Sequence, residues 1–443
     1  MGLSTTAVII IVFIGFFLLL LSGHYISTIL FAAGALGIYL IGGWGVLRGL
    51  LTTQPYTSAA SYSLTTIPLY ILMAQFIMKA GIIQDLYTLV YKVSGGKKNL
   101  LGVLTIVLGG LLGAVSGSGV GTSAALGQIA HPELKKRGYS DGLAGAICAA
   151  SGSLSPIIPP SVSLVLYGVI AECSISQLFE ASVMPELMCI VVFSVVTMFF
   201  LNKEKNDPVT VKEMEKTALE METKSKGQYA IVLTCGGLII LSIFGGIFSG
   251  LFTPTEAGGV GAFIGLVAAL LTRSLNFKFF LTAIVDAVKT TAMTLSMIIG
   301  AAIFSKFISL SLIPRALVNL LEPMMDKPGL LMVIVLLIYF VMFMLMDGSA
   351  PLLMTVPIFL PIVQAAGFDP IWFGILVNVD CCLGAMTPPV GLNVFAVGGV
   401  TGIKPSTIFK YAMTYALVGM IIVGGLLVFV PGLATWLPNI LNG

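Results

Sequence analysis

The stretch GAVSGSGVGTSAALG, from Gly113 to Gly127, and the stretch LMDGSAPLLMTVP, from Leu345 to Pro357, each interrupt a long apolar run with small polar residues. In the hydrocarbon core of a membrane, backbone groups freed by such a break find no water to bond. Non-helical backbone is tolerated there only where it faces protein or a polar cavity. Two such breaks therefore predict an interior site.

The composition is typical of an α-helical membrane protein. The 443 residues are 57% hydrophobic and 9% charged, and the mean hydropathy is +1.06. The apolar runs are continuous, whereas the strands of a membrane β-barrel alternate in short segments. The net charge of +3 forms no basic stripe that would indicate binding to nucleic acid. The first residues carry no Lys or Arg, which argues against a cleaved signal peptide. The six cysteines have no CxxC or zinc-type spacing.

Hydropathy and charge predict a path through the bilayer with two re-entrant helical hairpins, at 99–130 and 330–361. Lys97 and Lys98 precede the first hairpin and Lys135 to Arg137 follow it, so both its ends are predicted to be cytoplasmic. The second hairpin has no basic cluster and is predicted to enter from the outer face. The predicted spans are 6–22, 26–46, 62–82, 142–171, 176–201, 228–248, 256–272, 290–312, 370–400 and 411–430.

These segments form two halves, 1–202 and 228–443, joined by a hydrophilic cytoplasmic linker at 203–227, and both termini are predicted to be periplasmic. Trp44, Trp372 and Trp436 are predicted to be anchors at the membrane interface.

The two halves carry a repeat. The apolar helix after each hairpin contains a double proline, Pro159-Pro160 in one half and Pro388-Pro389 in the other. Each pair begins 21 residues after a Gly-aromatic pair that closes the hairpin, counted from Gly138 and from Gly367. Because the hairpins are predicted to enter from opposite faces, the repeat is predicted to be inverted. The helices 142–171 and 370–400 are then broken in mid-membrane, an architecture typical of secondary transporters.

The broken helices predict the chemistry of the site. Proline lacks an N–H and clashes with the preceding turn, so a helix breaks there. The C-terminal end of the first half-helix then offers carbonyls to a cation, and the N-terminal end of the second offers N–H groups to an anion. The residues therefore predict a site for Na⁺ and a small anion, with sodium as the only metal.

Candidate ligands follow from this geometry. The first Na⁺ site is predicted from the first tip and the facing half-helix: Ser116, Gly117, Ser118, Ser151, Ser153 and Ser155. The second Na⁺ site is predicted from the second tip and its half-helix: Asp347, Gly348, Ser349, Asp380 and Thr387. The predicted substrate contacts are Ser118, Pro160, Ser161, Ser163, Asp347 and Asn393. An aspartate within an apolar run is costly and therefore functional by default.

Three strings of the sequence resemble a known family. They are PELKKRGYSDGLAGAICAASGSLSPIIPPSVSLVLYGV from Pro132, FTPTEAGGVGA from Phe252, and the segment from Gly367 that contains GAMTPPVGLNVF. They resemble the large membrane subunit of the tripartite ATP-independent periplasmic (TRAP) transporters, and the resemblance covers nearly the whole chain. At the position of Asp380, the resemblance implies that asparagine is the more usual residue.

The resemblance implies an all-α polytopic membrane protein of the bacterial inner membrane that is not an enzyme. It implies Na⁺-coupled uptake of a small organic anion by an elevator motion of the hairpin domain against a scaffold. The anion is a carboxylate, such as a dicarboxylate or sialic acid, or a sulfonate. The implied partners are a separate small four-helix membrane subunit and a periplasmic substrate-binding protein.

Two other functions stay open from the sequence. A single-component Na⁺/anion symporter could use the same hairpin architecture without a binding protein. An intramembrane aspartyl protease would use Asp347 and Asp380, but the contexts LMDGS and NVDCC lack a GxGD motif. No organic cofactor is predicted, and GSGVG lacks the GK[ST] of a nucleotide-binding loop.

Overall fold

The structure is a computed structural model that describes residues 4–95, 97–203, 226–346 and 348–442. Within these ranges the chain is helical and contains no β-strand. Asp347 and residues 204–225 of the predicted linker lie outside the described residues.

The described helices are α1 (Thr5–Leu21), α2 (Ile26–Ala59), α3 (Thr66–Lys79), α4 (Ile82–Val93), α5 (Lys98–Ser116), α6 (Gly119–Lys136), α7 (Asp141–Ser153), α8 (Val162–Ile170), α9 (Ile175–Lys203), α10 (Lys226–Ile240, continued through Leu241–Gly245 and Gly246–Phe248), α11 (Pro254–Leu271), α12 (Phe277–Leu310), α13 (Ile313–Met325), α14 (Pro328–Leu345), α15 (Ser349–Ala365), α16 (Pro370–Gly384), α17 (Leu392–Thr401), α18 (Pro405–Gly419, continued through Met420–Gly424 and Gly425–Phe429) and α19 (Gly432–Asn442).

The apolar helices agree with a multi-pass membrane protein. Seven helices of the described chain are long and apolar enough to span a membrane, and a bent pair formed by Tyr62–Lys79 and Ile82–Val93 raises the number to eight. The helix α14, the first arm of the second hairpin, is among the seven. Length therefore does not identify this arm as re-entrant, and the re-entrant insertion of both hairpins stays a prediction.

The predicted span 290–312 lies almost entirely within the helix α12, which begins earlier, at Phe277, with a first part that carries Lys278, Asp286 and Lys289. Two sequence predictions need correction. The second arm of the first hairpin continues to Lys136 and not to residue 130. Trp372 is fully buried and donates a hydrogen bond of 2.8 Å to the carbonyl of Leu427, so it is a core residue and not an interfacial anchor.

The predicted repeat register is present in the helices. The starts of α5, α6, α8 and α9 each lie 230 positions before the starts of α14, α15, α17 and α18. The helices that contain the breaks, α7 and α16, begin 229 positions apart. In each half a loop with a cis Pro-Pro peptide joins the two parts of the broken helix. Both halves thus place a hairpin, a broken helix and a long apolar helix in the same order.

The hairpins exchange contacts between the halves. The arm α6 packs against α7 of its own half and against α17 of the other half. The arm α15 likewise packs against α8, which belongs to the first half. Each hairpin therefore reaches the second part of the broken helix of the other repeat, and this brings both tips and both breaks into one region.

The buried apolar residues form two clusters. The larger cluster joins the hairpins and broken helices to α3, α9, α11 and α18. The smaller cluster unites α1, α2 and the C-terminal half of α12, and it includes Leu353 and Met354 of α15. The backbones of α2 and α12 nearly touch, because a Cβ on Gly34 would lie 2.6 Å from the backbone nitrogen of Phe304. The smaller cluster is therefore a tightly packed unit that meets the second hairpin.

Candidate functional site

A cavity of about 390 Å³ lies where the two tips and the two broken helices meet. The first hairpin lines it with Ser116 to Gly121, and the second hairpin lines it with Gly348 and Ser349. The opposite wall comes from α3 and α12. The broken helices contribute Pro156, Val162, Ser163, Leu166, Cys381, Ala385, Leu392 and Asn393.

The first tip turns at Gly117, which has a φ of +60°. This left-handed conformation costs an L-residue free energy but is open to glycine. The next residue, Ser118, caps α6 by accepting a hydrogen bond of 3.2 Å from the N–H of Gly121. The tip therefore presents a helix N-terminus to the cavity, where partial positive charge accumulates.

A chain of hydroxyl groups links this tip to the first broken helix. The hydroxyls of Ser116 and Thr122 are 2.5 Å apart, and the hydroxyl of Ser155, which donates to the carbonyl of Gly152 at 2.9 Å, lies 3.5 Å from that of Thr122. Ser155 and Thr122 are both buried. Thr122 was not among the predicted ligands of the first Na⁺ site. Its hydroxyl in the first turn of α6, next to the tip, was the signal that could have identified it.

The other two serines of the predicted first Na⁺ site point elsewhere. The hydroxyl of Ser151 donates to the carbonyls of Ile147 and Thr105, so it faces α5. The hydroxyl of Ser153 lies 3.6 Å from the sulfur of Cys382, so it faces the other broken helix. The structure thus brings Ser116 and Ser155 together through Thr122 but does not bring Ser151 and Ser153 to the tip.

The second tip packs directly on the second broken helix. A Cβ on Gly348 would lie 2.5 Å from the sulfur of Cys381, so a larger residue here would require the Cys381 side chain to move. The hydroxyl of Thr387 donates to the carbonyls of Leu383 and Gly384, at 3.0 and 2.7 Å. Ser349 lines the cavity, while Thr387 is 2% exposed behind it.

Asp380 is 0% exposed, and neither carboxylate oxygen has a hydrogen-bond partner among the described residues. On one side, Phe373 packs against Tyr339 of α14 with ring centroids 5.8 Å apart. On the other side of Asp380, a Cβ on Gly384 would lie 2.5 Å from the Cβ of Phe343 in α14. Phe373, Asp380 and Gly384 recur at helical spacing, so the carboxyl group lies on the face of α16 that meets α14. A bare buried carboxylate is very costly, so this group requires a cation or a proton.

The predicted substrate residues differ in their availability. The hydroxyls of Ser161 and Ser163 both donate to the carbonyl of Pro156, at 2.6 and 3.0 Å, which satisfies an acceptor left by the helix break. Ser163 lines the cavity, and Ser161 is buried behind it as the N-cap of α8. The carbonyl of Pro160 lies 3.9 Å from the position of a Cβ on Gly117, beside the first tip.

Asn393 offers the clearest unused donor. Its side-chain nitrogen is buried and has no hydrogen-bond partner in the described part of the chain. The side chain lines the cavity and lies 3.3 Å from the position of a Cβ on Gly119. Buried amide donors are rarely left unpaired. An acceptor on a bound molecule would satisfy this one.

The wall formed by α3 and α12 was not predicted. It places the polar side chains of Gln75, Thr290 and Thr294 among methionines and small apolar residues. Gln75 is an amide side chain within the apolar run that ends at Met78 of α3, which was a signal for it. Thr290 and Thr294 were harder to find, because each bonds the carbonyl four residues back, as threonines commonly do in helices.

Comparison with known proteins identifies similar chains. Residues 13–433 match the family model described as "Tripartite ATP-independent periplasmic transporter, DctM component". The chain is 30% identical over 364 residues to the 2,3-diketo-L-gulonate TRAP transporter large permease protein YiaN of Escherichia coli (strain K12), an alignment that covers 81% of this chain and 83% of that protein. It is 29% identical over 384 residues to the sialic acid TRAP transporter large permease protein SiaM of Vibrio cholerae, covering 86% and 88% of the two chains.

The fold is similar to that of a solved transporter. The YdaH transporter of Alcanivorax borkumensis superposes with a TM-score of 0.68 over 92% of this chain and 97% of that chain. The two sequences are 15% identical, so this likeness concerns the fold alone.

Proposed function

Because this chain belongs to the tripartite ATP-independent periplasmic transporters as a DctM component, and is therefore a transporter permease and not an enzyme, we propose that it imports a small organic anion together with Na⁺. The single observation that carries the proposal is the cavity between both hairpin tips and both broken helices. The relatives named for 2,3-diketo-L-gulonate and for sialic acid indicate the substrate class, a carboxylate; a sulfonate has the same charge.

The first Na⁺ site is proposed at the first tip. Ser116, Thr122 and Ser155 supply three linked hydroxyl oxygens, and Gly117 and Ser118 supply backbone oxygens at the turn. Hard cations prefer oxygen ligands of this kind. The predicted Ser151 and Ser153 belong to this proposal only as neighbours that hold α7 against α5 and α16.

The second Na⁺ site is proposed at the second tip, where Gly348 and Ser349 meet α16. Thr387 contributes its backbone at the helix break, and Asp380 supplies the negative charge that a cation would neutralise. Asp347 is the remaining predicted ligand, and it also belongs to the predicted substrate contacts.

The anion is proposed to lie between the two tips. Asn393 supplies its unpaired amide N–H groups, and Ser118 and Ser163 supply polar groups on the same side of the cavity. Ser161 and Pro160 shape the backbone at the start of α8, whose N-terminal N–H groups favour an anion.

The transport step is proposed to be an elevator motion, in which the hairpins and broken helices move past a scaffold that includes α1, α2 and α12. Most residues of the smaller apolar cluster lie in these three helices, which supports this division, and its two residues of α15, Leu353 and Met354, are where the second hairpin would slide against the scaffold. The protein is proposed to act in the bacterial inner membrane with both termini periplasmic. Its partners would be a separate small membrane subunit and a periplasmic binding protein.

Uptake in proteoliposomes tests this function. The vesicles would contain this chain with its small partner subunit, an imposed Na⁺ gradient, the cognate binding protein outside, and radiolabelled sialic acid, succinate, 2,3-diketo-L-gulonate or isethionate. We expect uptake of at least one acid that requires both the gradient and the binding protein. Uptake without the binding protein would favour the single-component symporter, and uptake without a Na⁺ gradient would contradict Na⁺ coupling.

A further inference from the structure

The wall of the cavity formed by α3 and α12 ends in a pair of opposite charges. Gln75 and Met78 line the cavity from α3, and Lys79 follows one helical turn after Gln75. Thr290 lines it from α12, and Asp286 precedes Thr290 by one turn. The hydroxyl of Thr290 donates to the carbonyl of Asp286 at 2.9 Å, as helical neighbours on one face do.

Lys79 and Asp286 bond each other across this end of the wall. The ammonium nitrogen of Lys79 lies 2.9 Å from a carboxylate oxygen of Asp286, and the side chains are 30% and 45% exposed. An ion pair with this much access to water contributes little net stability. It can therefore exchange one carboxylate partner for another at small cost.

The cavity itself lacks a fixed positive charge. None of the described side chains that line it carries a charge. An organic anion bound there would rely on hydroxyls, helix N-termini and a co-bound cation. The ammonium group of Lys79, one turn beyond Gln75 and next to Met78, is a positive charge that continues the α3 side of this wall.

We propose that Lys79 binds the acidic group of the transported anion as it passes between the cavity and this end of α3 and α12, and that Asp286 holds Lys79 when no anion is present. This inference rests on the proposed function, and it assigns the selection for an acidic group to a residue outside the tips. Asp286 competes with the substrate for the same ammonium group. Its return to Lys79 helps to displace the anion, so the pair sets both affinity and release.

Two variants separate this role from a structural one. Lys79→Gln removes the cation, and we expect its KM for the transported acid to rise about tenfold, the loss typical of one charge-assisted hydrogen bond. Asp286→Asn removes the competitor, and we expect its KM to fall while turnover slows. A purely structural ion pair predicts that both variants shift KM in the same direction, because both break the same contact.

The assay is the reconstituted uptake described above, with the acid that wild-type protein transports, and Lys278→Gln as the matched control on an exposed lysine in the first turn of α12, away from the cavity. We expect the control to leave KM and turnover unchanged. An unchanged KM in Lys79→Gln, or a KM that shifts in the same direction in both variants, would overturn this inference. Transport by the wild-type protein would leave the proposed function intact. A wild-type protein that transports none of the four acids would instead overturn the proposed function and this inference together.

Discussion

At the scale of single residues, Asp380 is the group whose chemistry is least satisfied. Its carboxyl group is fully buried without a hydrogen-bond partner in the described chain. Without a cation the carboxylate must either stay charged or take up a proton, and both cost free energy at neutral pH, whereas a neutral amide avoids this cost. We therefore expect Asp380→Asn to unfold at a higher temperature than wild type in Na⁺-free detergent solution, and to gain less stability when Na⁺ is added.

The measurement is thermal unfolding with and without Na⁺, with choline replacing Na⁺ at constant ionic strength. A ligand that binds only the folded state raises its stability, so lost binding appears as a lost shift. Asp326→Asn serves as the control, because Asp326 is exposed at the end of α13. If Na⁺ stabilises Asp380→Asn as much as it stabilises wild type, Asp380 is not a ligand.

The residue types of the site could be predicted from the sequence, but the direction of each side chain could not. Ser151 and Ser153 lie two positions apart in the last turn of α7, so they point in different directions, and Ser155 lies in the turn that follows the helix, so the three cannot all face one ion. Only Ser155 reaches Thr122. The sequence did not indicate a role for Lys79, because that role depends on how α3 packs against α12, and this packing depends on contacts far apart in the chain.

At the scale of elements, the first hairpin depends on the backbone of its tip. Gly117 has a φ of +60°, where a side chain costs roughly 1 kcal/mol or more. We expect Gly117→Ala to destabilise the protein by about that amount and to weaken Na⁺-dependent uptake, because the tip backbone would shift relative to Ser155. Thermal unfolding and the Na⁺ concentration for half-maximal uptake measure the two effects.

A matched glycine distinguishes the tip from a general response to the substitution. Gly236 lies within α10, and a Cβ there would meet no atom within 4 Å. Gly236→Ala is expected to leave uptake unchanged and to stabilise the helix slightly, because alanine is the better helix former. Equal effects of the two substitutions would refute the assigned role of the tip geometry.

Elements were predictable where one physical signal dominated. The double prolines and the Gly-aromatic pairs placed both broken helices, because proline cannot continue a helix whatever surrounds it. The first 13 residues of α12 lie outside the predicted span 290–312, because Lys278, Asp286 and Lys289 lower the hydropathy of this part of the helix. The amphipathic helices α4 and α13 were not predicted, since a hydropathy window does not register a helix that is apolar on one face.

At the scale of the whole molecule, the repeat and the two apolar clusters describe different divisions. The repeat divides the chain into sequence halves, while packing joins parts of both halves around the cavity and leaves α1, α2 and part of α12 as a separate cluster. The halves were predictable from matched spacings. The second division was not, because it depends on which side chains of the folded chain share a core.

The helix α3 contacts both α12 of the proposed scaffold and the first hairpin, so an elevator motion in which α3 stays with α12 slides the hairpin past it, and this contact can be locked. The Cε of Met78 lies 4.0 Å from the position of a Cβ on Gly121. With the six native cysteines replaced, we expect a cross-link between Met78→Cys and Gly121→Cys to abolish uptake.

The control pair is Gly127→Cys with Val400→Cys, which joins α6 to α17 within the unit that is proposed to move. A Cβ on Gly127 would lie 2.8 Å from the Cγ2 of Val400. We expect that cross-link to leave uptake intact, and reduction of either cross-link to restore the uncross-linked rate. Full transport by the cross-linked Met78–Gly121 protein would show that α3 and the hairpin travel together, and a fixed scaffold would then have to exclude α3.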